Sequence, residues 1–173
     1  MTEKEFIHRV ARGEVDVIGR VLNSLGAAGA DYCAIGGLAV NAYVEPVVSL
    51  DLDIVVAAGQ IEQVCATLAR EFAMERFAHS VNFRSDKSDL RIQLQTDARY
   101  QDFIRNASSR KVLGYEMKVA SVEDVLRGKV WAYSDKERRR SKRQKDLADI
   151  LRLVEAYPAL KEKLPPALRK EIE

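Results

Sequence analysis

Asp51 and Asp53 stand two residues apart in Ser49-Leu50-Asp51-Leu52-Asp53-Ile54-Val55-Val56, a run whose apolar content predicts a strand. Residues i and i+2 of a strand share a face, so the two carboxylates point the same way, with Cα atoms roughly 6.5–7 Å apart. At an effective dielectric of ~20, two such charges repel by about 2–3 kcal/mol. A divalent cation reverses the sign of that interaction. Mg²⁺ takes one or two carboxylates plus waters and substrate phosphates. Two such ions ~3.5–4 Å apart can activate an attacking hydroxyl and neutralise a leaving pyrophosphate. The same five letters, Leu-Asp-Leu-Asp-Ile, also describe a half-exposed strand with leucines inward and aspartates in water, and the strand alone does not choose between the two.

Gly36-Gly37 narrows the choice. The pair follows the short apolar run Tyr32-Cys33-Ala34-Ile35 and opens a helical stretch. Glycine lets backbone approach a ligand closely, and free N–H groups at a helix start attract phosphate. A strand, a Gly-Gly turn, a helix and then a strand carrying Asp-x-Asp form a more specific pattern than any of its parts.

Other chemistries find little support. Gly128-Lys129 is followed by Val130, and Glu123 stands where a phosphate-binding loop would have its first glycine. His8, His79, Cys33 and Cys65 lack zinc-ligand spacing. Both cysteines lie in apolar surroundings and read as buried, reduced thiols. Trp131 and Tyr133 could stack on a base, although helical spacing favours a core position for Trp131. Residues 127–145 carry a local charge of +7 in a chain of net +2, leaving −5 for the remainder. A basic segment beside an acidic body is a docking place for phosphates, and Lys136 to Lys145 could grip RNA or a nucleotide; a solvated helical connection is the competing reading.

The elements that must hold these residues follow from periodicity. Residues 3–11 and 14–25 read as helices, the second ended by Gly26 and Gly29. After strand 32–35, helical character resumes over 38–44 and stops at Pro46. Strand 50–56 precedes a helix over 60–72 with Ile61, Val64, Cys65, Leu68 and Phe72 on one face. Strands are expected near 74–78, 80–84 and 89–96, the last alternating Leu90, Ile92, Leu94 against Arg91, Gln93, Gln95. Residues 97–106 read as a short helix or loop, and 115–120 as a strand. Ser121, with Asp124 three residues on, caps a helix; another spans 141–156, and a short one follows Pro165-Pro166. The expected architecture is α/β (α+β), a mixed sheet flanked by helices over residues 1–120, with a helical C-terminal part over 121–173 packed on it. The first residues lack the apolar stretch of a signal peptide, and no apolar run approaches the ~18 residues needed to span a membrane, so a cytoplasmic protein without membrane contact is expected.

Ala34-Ile35-Gly36-Gly37-Leu38-Ala39-Val40 followed by Ser49-Leu50-Asp51-Leu52-Asp53 resembles the DNA polymerase β-like nucleotidyltransferase superfamily, and within it the AbiEii-like branch and other small bacterial relatives. The usual pattern there is Gly-Gly-x-Ala and then Thr-x-Asp-x-Asp, with Ser49 standing at the common Thr. Ser121 to Lys129 and Lys145-Asp146-Leu147-Ala148-Asp149-Ile150 resemble the branch's helical segments after the sheet, so the likeness covers roughly residues 30–155. The resemblance implies that Asp51 and Asp53 hold Mg²⁺ (or Mn²⁺) and carry catalysis, and that Gly36, Gly37 and Ser49 lie against nucleotide phosphates. It further implies that Lys129 reaches the triphosphate. Asp146 and Asp149 share a helix face by their spacing and pair with Lys129 or Lys145 in the structural reading. One departure stands out. The superfamily's third carboxylate falls at Gln93, a neutral amide, with Asp89 and Asp97 the nearest carboxylates in sequence.

Two functions follow from the resemblance. The first is a nucleotidyltransferase moving an NMP from NTP-Mg to an RNA, protein or small-molecule acceptor. The second is a catalytically weak or inactive nucleotide- or RNA-binding module, or a toxin–antitoxin component with its partner, on the same fold.

Overall fold

The computed structural model describes residues 1–173. Helix α1 (Glu3–Val10) opens on a capping box in which Thr2 and Glu5 satisfy each other's backbone N–H. Helix α2 (Val17–Ala27) begins at Asp16, whose carboxylate accepts from Gly19 N at 2.9 Å. Gly26 lies inside its last turn, and the chain reverses at Gly29, which has φ +58°. Strand β1 (Tyr32–Ile35) runs directly into helix α3 (Gly36–Val40), which starts at the two glycines, earlier than periodicity indicates. Strand β2 (Asp51–Val56) follows a loop, and helix α4 (Ile61–Leu68) is shorter than the expected 60–72 because turns replace its last residues.

Strands β3 (Ala73–Arg76), β4 (Ser80–Ser85) and β5 (Ser88–Gln95) come next, and then a 3₁₀ segment, Ala98–Asn106. Strand β6 (Ser108–Val112) is not apparent in the sequence. Four of its five residues are exposed, so no alternation marks it. It forms a hairpin with β7 (Tyr115–Val119) through Leu113 and Gly114, both at positive φ. Helices α5 (Val122–Ser134), α6 (Arg140–Ala156) and α7 (Pro166–Ile172) end the chain.

The seven strands form one mixed sheet in the order β3-β4-β5-β2-β1-β7-β6. Strand β2 lies between antiparallel β1 and parallel β5. Its alternation sends Leu52 and Ile54 into the core and keeps Asp51 and Asp53 on the opposite face. Forty-one buried residues make one contiguous core that includes β2, β5, α2 and α4 and also Val125 and Leu126 of α5 and Ile150 and Leu153 of α6. The C-terminal helices are therefore anchored to the sheet by apolar packing, which is what fixes their polar residues over the aspartates. The architecture is the expected α+β mixed sheet with helices on its faces. No helix is long and apolar enough to cross a membrane.

Candidate active site

Register across the sheet assembles the site. Ile35 of β1 pairs with Asp53 of β2, Asp53 with Gln93 of β5, and Gln93 with Asn82 of β4. The residue after Ile35 is Gly36, so the turn into α3 sits beside Asp53. Gly36 has φ +72°, and a Cβ placed on it would overlap the Asp53 carboxylate. Gly37 faces Ser49 in the same manner, with Ser49 Oγ 3.1 Å from where its Cβ would be. Ser49 Oγ in turn lies 3.5 Å from both the N–H and the carbonyl oxygen of Asp51. The two glycines thus fit against the two ends of Ser-x-Asp-x-Asp. The loop between α3 and β2 is pinned by Asn41, whose amide donates to Val47 O at 2.7 Å and accepts from Val47 N at 3.0 Å.

Two adjoining cavities, of about 280 and 440 Å³, open on either side of the aspartates. Asp51, Asp53, Arg91, Lys129, Arg138, Lys142 and Asp146 border both. The smaller extends over the sheet to Asn82, Arg84, Gln93, Gln95 and Tyr100. The larger extends along α3 and α6 to Gly37, Ser49, Lys145 and Asp149. All the residues that sequence reasoning assigned to the site — Gly36, Gly37, Ser49, Asp51, Asp53, Gln93 and Lys129 — border one cavity or both.

The cations are arranged in two groups. Asp51 is held on both oxygens, Arg91 Nε at 2.7 Å from Oδ1 and Lys142 Nζ at 3.4 Å from Oδ2. Lys129 is buried between two aspartates of α6, at 3.1 Å from Asp146 and 2.7 Å from Asp149. Arg138 takes the other oxygen of Asp146 at 2.7 Å, and Arg152 binds Asp149 at 2.8 Å. Burial would lower the Lys129 pKa, but Asp149 and Asp146 outweigh it and raise the group above its ordinary value. The expected pairing of Asp146 and Asp149 is with Lys129 rather than Lys145.

Asp53 has no direct ion-pair partner. Burial, and then the charge on Asp51, push its carboxyl up to about 6, against the pull of Lys129, Arg138 and Lys142. The register partner of Asp53 on β5 is Gln93, a neutral amide. Asp89 and Asp97 add no carboxylate there: Asp89 lies 3.5 Å from Arg12, Asp97 is bound by Arg99, and neither borders the cavities. No group of three or more metal-ligating side chains converges anywhere in the chain.

Arg91 was not singled out by the sequence, and Arg138 and Lys142 were included only as members of the basic 136–145 run. Arg91 shares strand parity with Gln93, which is the signal that could have placed it over Asp51. Arg138 and Lys142 lie in the basic 136–145 run, whose direction only the packing of α6 decides. Trp131 packs edge-on to Tyr100 and stacks on Phe103, with ring centroids 5.1 and 5.5 Å away. Tyr133 donates to Glu171 at 2.7 Å. Cys33 and Cys65 are free and buried, and burial pushes the Cys33 thiol up to about 12, as expected of inert core thiols.

Comparison with known proteins agrees with this fold. ANT(2″)-Ia, in a complex with adenylyl-2″-tobramycin, superposes with a TM-score of 0.64 at 16% identity, covering 91% of this chain and 97% of that one. The lincosamide antibiotic adenylyltransferase LnuA, bound to lincomycin, gives a TM-score of 0.56 at 11% identity over 79% and 95% of the two chains. An antigenic nucleotidyltransferase-like protein from Paracoccidioides brasiliensis gives 0.55 at 20% identity over 80% and 74%. At such identities these likenesses establish the fold alone. No curated protein matches the sequence. Residues 35–173 match the family described as nucleotidyl transferase AbiEii toxin, type IV TA system, and the chain belongs to that nucleotidyltransferase family.

Proposed function

We propose that this chain transfers a nucleoside monophosphate from an NTP–Mg²⁺ complex to a hydroxyl-bearing acceptor, an RNA, a protein or a small molecule. The observation that carries this reading is the convergence of Asp51 and Asp53 on the floor of a cleft walled by Arg91, Lys129, Arg138 and Lys142. The donor set suits Mg²⁺ or Mn²⁺: two carboxylates on one strand face, hard oxygen ligands only, with room in both cavities for phosphates and water. The raised Asp53 pKa comes first from burial of the carboxyl and then from the charge on Asp51, both of which a bound cation would offset. Asp51 and Asp53 would hold the metal, which when bound offsets charge on the α-phosphate and on the departing pyrophosphate.

The chain's own contributions follow from position. Ser49 and Gly37 border the larger cavity beside Lys142 and Lys145, where a triphosphate is matched by charge. Lys129, at the border of both cavities, is neutralised by Asp146 and Asp149 and holds α5 against α6. The acceptor's oxygen attacks the α-phosphorus, the bond from that phosphorus to the α–β bridging oxygen breaks, and pyrophosphate leaves. Gln93 cannot take the acceptor's proton, which passes to solvent. Incubating the protein with labelled NTPs, Mg²⁺ and acceptor pools tests the reading. Transfer that disappears in Asp51→Asn and Asp53→Asn supports it, and transfer unaffected by both substitutions sinks it.

A second reading has its own observation. Gln93 leaves the site one carboxylate short, which fits a nucleotide- or RNA-binding module or a toxin–antitoxin component that acts by binding. That reading predicts salt-sensitive nucleotide or RNA binding that persists in EDTA. Both readings are consistent with a cytoplasmic protein that has a cognate antitoxin partner.

A further inference from the structure

Both oxygens of Asp51 already face a cation, so a divalent ion on this carboxylate competes with an ion pair. The two partners are not equivalent. Arg91 sits on the neighbouring strand in direct register with Asp51 and meets Oδ1 at 2.7 Å. Lys142 comes from the first turn of α6, meets Oδ2 only at 3.4 Å, and keeps about a third of its side chain exposed. Lys129, the other lysine bordering both cavities, is fixed by two aspartates with 11% of its side chain exposed. Among the cations paired with aspartates in the site, Lys142 is therefore the one held at the longest distance. Its four-carbon stem can swing without moving backbone, and it stands at the boundary between the cavities, three residues before Lys145 on the same helix face.

We propose that Lys142 is an exchangeable counter-ion: it neutralises Asp51 in the nucleotide-free protein, and it becomes a ligand of the substrate's phosphates once a divalent cation takes its place on Asp51. This rests on the metal-dependent reading of the site. The exchange keeps the charge near Asp51 balanced in both states. It makes the empty site a weak metal binder, because Lys142 competes for the same oxygen. It makes the loaded site a strong binder of metal and polyphosphate together, because the displaced ammonium then meets phosphate oxygens. Removing Lys142 must therefore move the two affinities in opposite directions, which loss of fold or of general charge does not do.

The experiment titrates the full chain with Mn²⁺ alone, and with inorganic tripolyphosphate in saturating Mn²⁺, by calorimetry or by Mn²⁺ paramagnetic resonance. Tripolyphosphate is the probe because it carries no base or sugar. Lys142→Met is expected to bind Mn²⁺ alone roughly two- to fivefold more tightly, the scale of a partly exposed ion pair. The same variant is expected to bind Mn²⁺-tripolyphosphate about tenfold or more weakly, the scale of a charge-assisted hydrogen bond. Lys142→Arg restores both values toward wild type. Lys145→Met, which removes a charge not paired with Asp51, weakens tripolyphosphate without tightening Mn²⁺. Thermal midpoints check that each variant is folded. Two affinities that fall together in Lys142→Met, or that both stay at wild-type values, overturn the exchange while leaving the metal site standing. Wild-type protein that binds no Mn²⁺ overturns the metal-dependent reading and this inference with it.

Discussion

The carboxylate of Asp53 occupies the space beside Gly36 that a side chain would fill. Ile35 and Asp53 are register partners, so the turn that starts α3 and the second aspartate of Asp-x-Asp are packed as one unit. The glycine is required twice over, for its φ of +72° and for this contact.

Gly36→Ala should be among the most damaging single changes. The positive φ and the overlap with Asp53 together predict a loss of about 1–3 kcal/mol of stability. The surviving folded protein should bind Mn²⁺ poorly, because Asp53 has to move. Urea denaturation and Mn²⁺ titration of the same sample check both halves.

Asp53→Asn should stabilise the metal-free protein at neutral pH. The folded-state pKa of about 6 lies above the ordinary 3.8, so folding favours the protonated form. That contribution is fully present below pH ~4 and is lost as pH rises through 6. The wild type should lose roughly 1–3 kcal/mol between pH 4 and 7.5 relative to Asp53→Asn. Melting curves of both proteins across that range in EDTA test it. Equal pH profiles would contradict the assigned environment of Asp53.

Lys129→Met should destabilise by about 1–3 kcal/mol, because it leaves the buried Asp146 with Arg138 alone and the half-buried Asp149 with Arg152 alone. Adding Asp149→Asn to that variant should recover part of the loss. A double-mutant cycle by denaturant titration measures the coupling, and additive effects would mean that Lys129 is not held by Asp149 as described.

Gln93→Glu should convert the two-carboxylate site into a three-carboxylate one. Its side chain would stand across the register from Asp53. Mn²⁺ affinity is expected to rise about tenfold or more, while the metal-free protein loses on the order of 1–2 kcal/mol to like-charge repulsion. Calorimetry and melting in EDTA separate the two. Under the nucleotidyltransferase reading, transfer also speeds up; under the binding reading, nucleotide retention in EDTA stays as it was.

Much of the fold was legible because local rules and tertiary packing agree where the apolar pattern is strong. The alternation of Leu90, Ile92 and Leu94, the capping of α5 by Ser121, and the run from Leu52 to Val56 each state their own structure. The exposed hairpin strand β6 was not legible, since a strand that buries almost nothing leaves no period to detect. The Gly-Gly opening of α3 was legible from its place after a strand, although hydrophobic periodicity alone starts the helix only at Leu38.

By itself the sequence determined that two carboxylates share a strand face behind a Gly-Gly turn, and its motifs resemble those of the nucleotidyltransferases. Spacing along one element is enough for the first of these statements. Tertiary structure decided how the site is charged. Which cation meets which aspartate depends on the β2–β5 register and on how α5 and α6 dock over the sheet, and these are set by core packing among residues far apart in the chain. That docking gives Lys129 to Asp146 and Asp149, gives Arg91 and Lys142 to Asp51, and leaves Asp53 alone with its raised pKa.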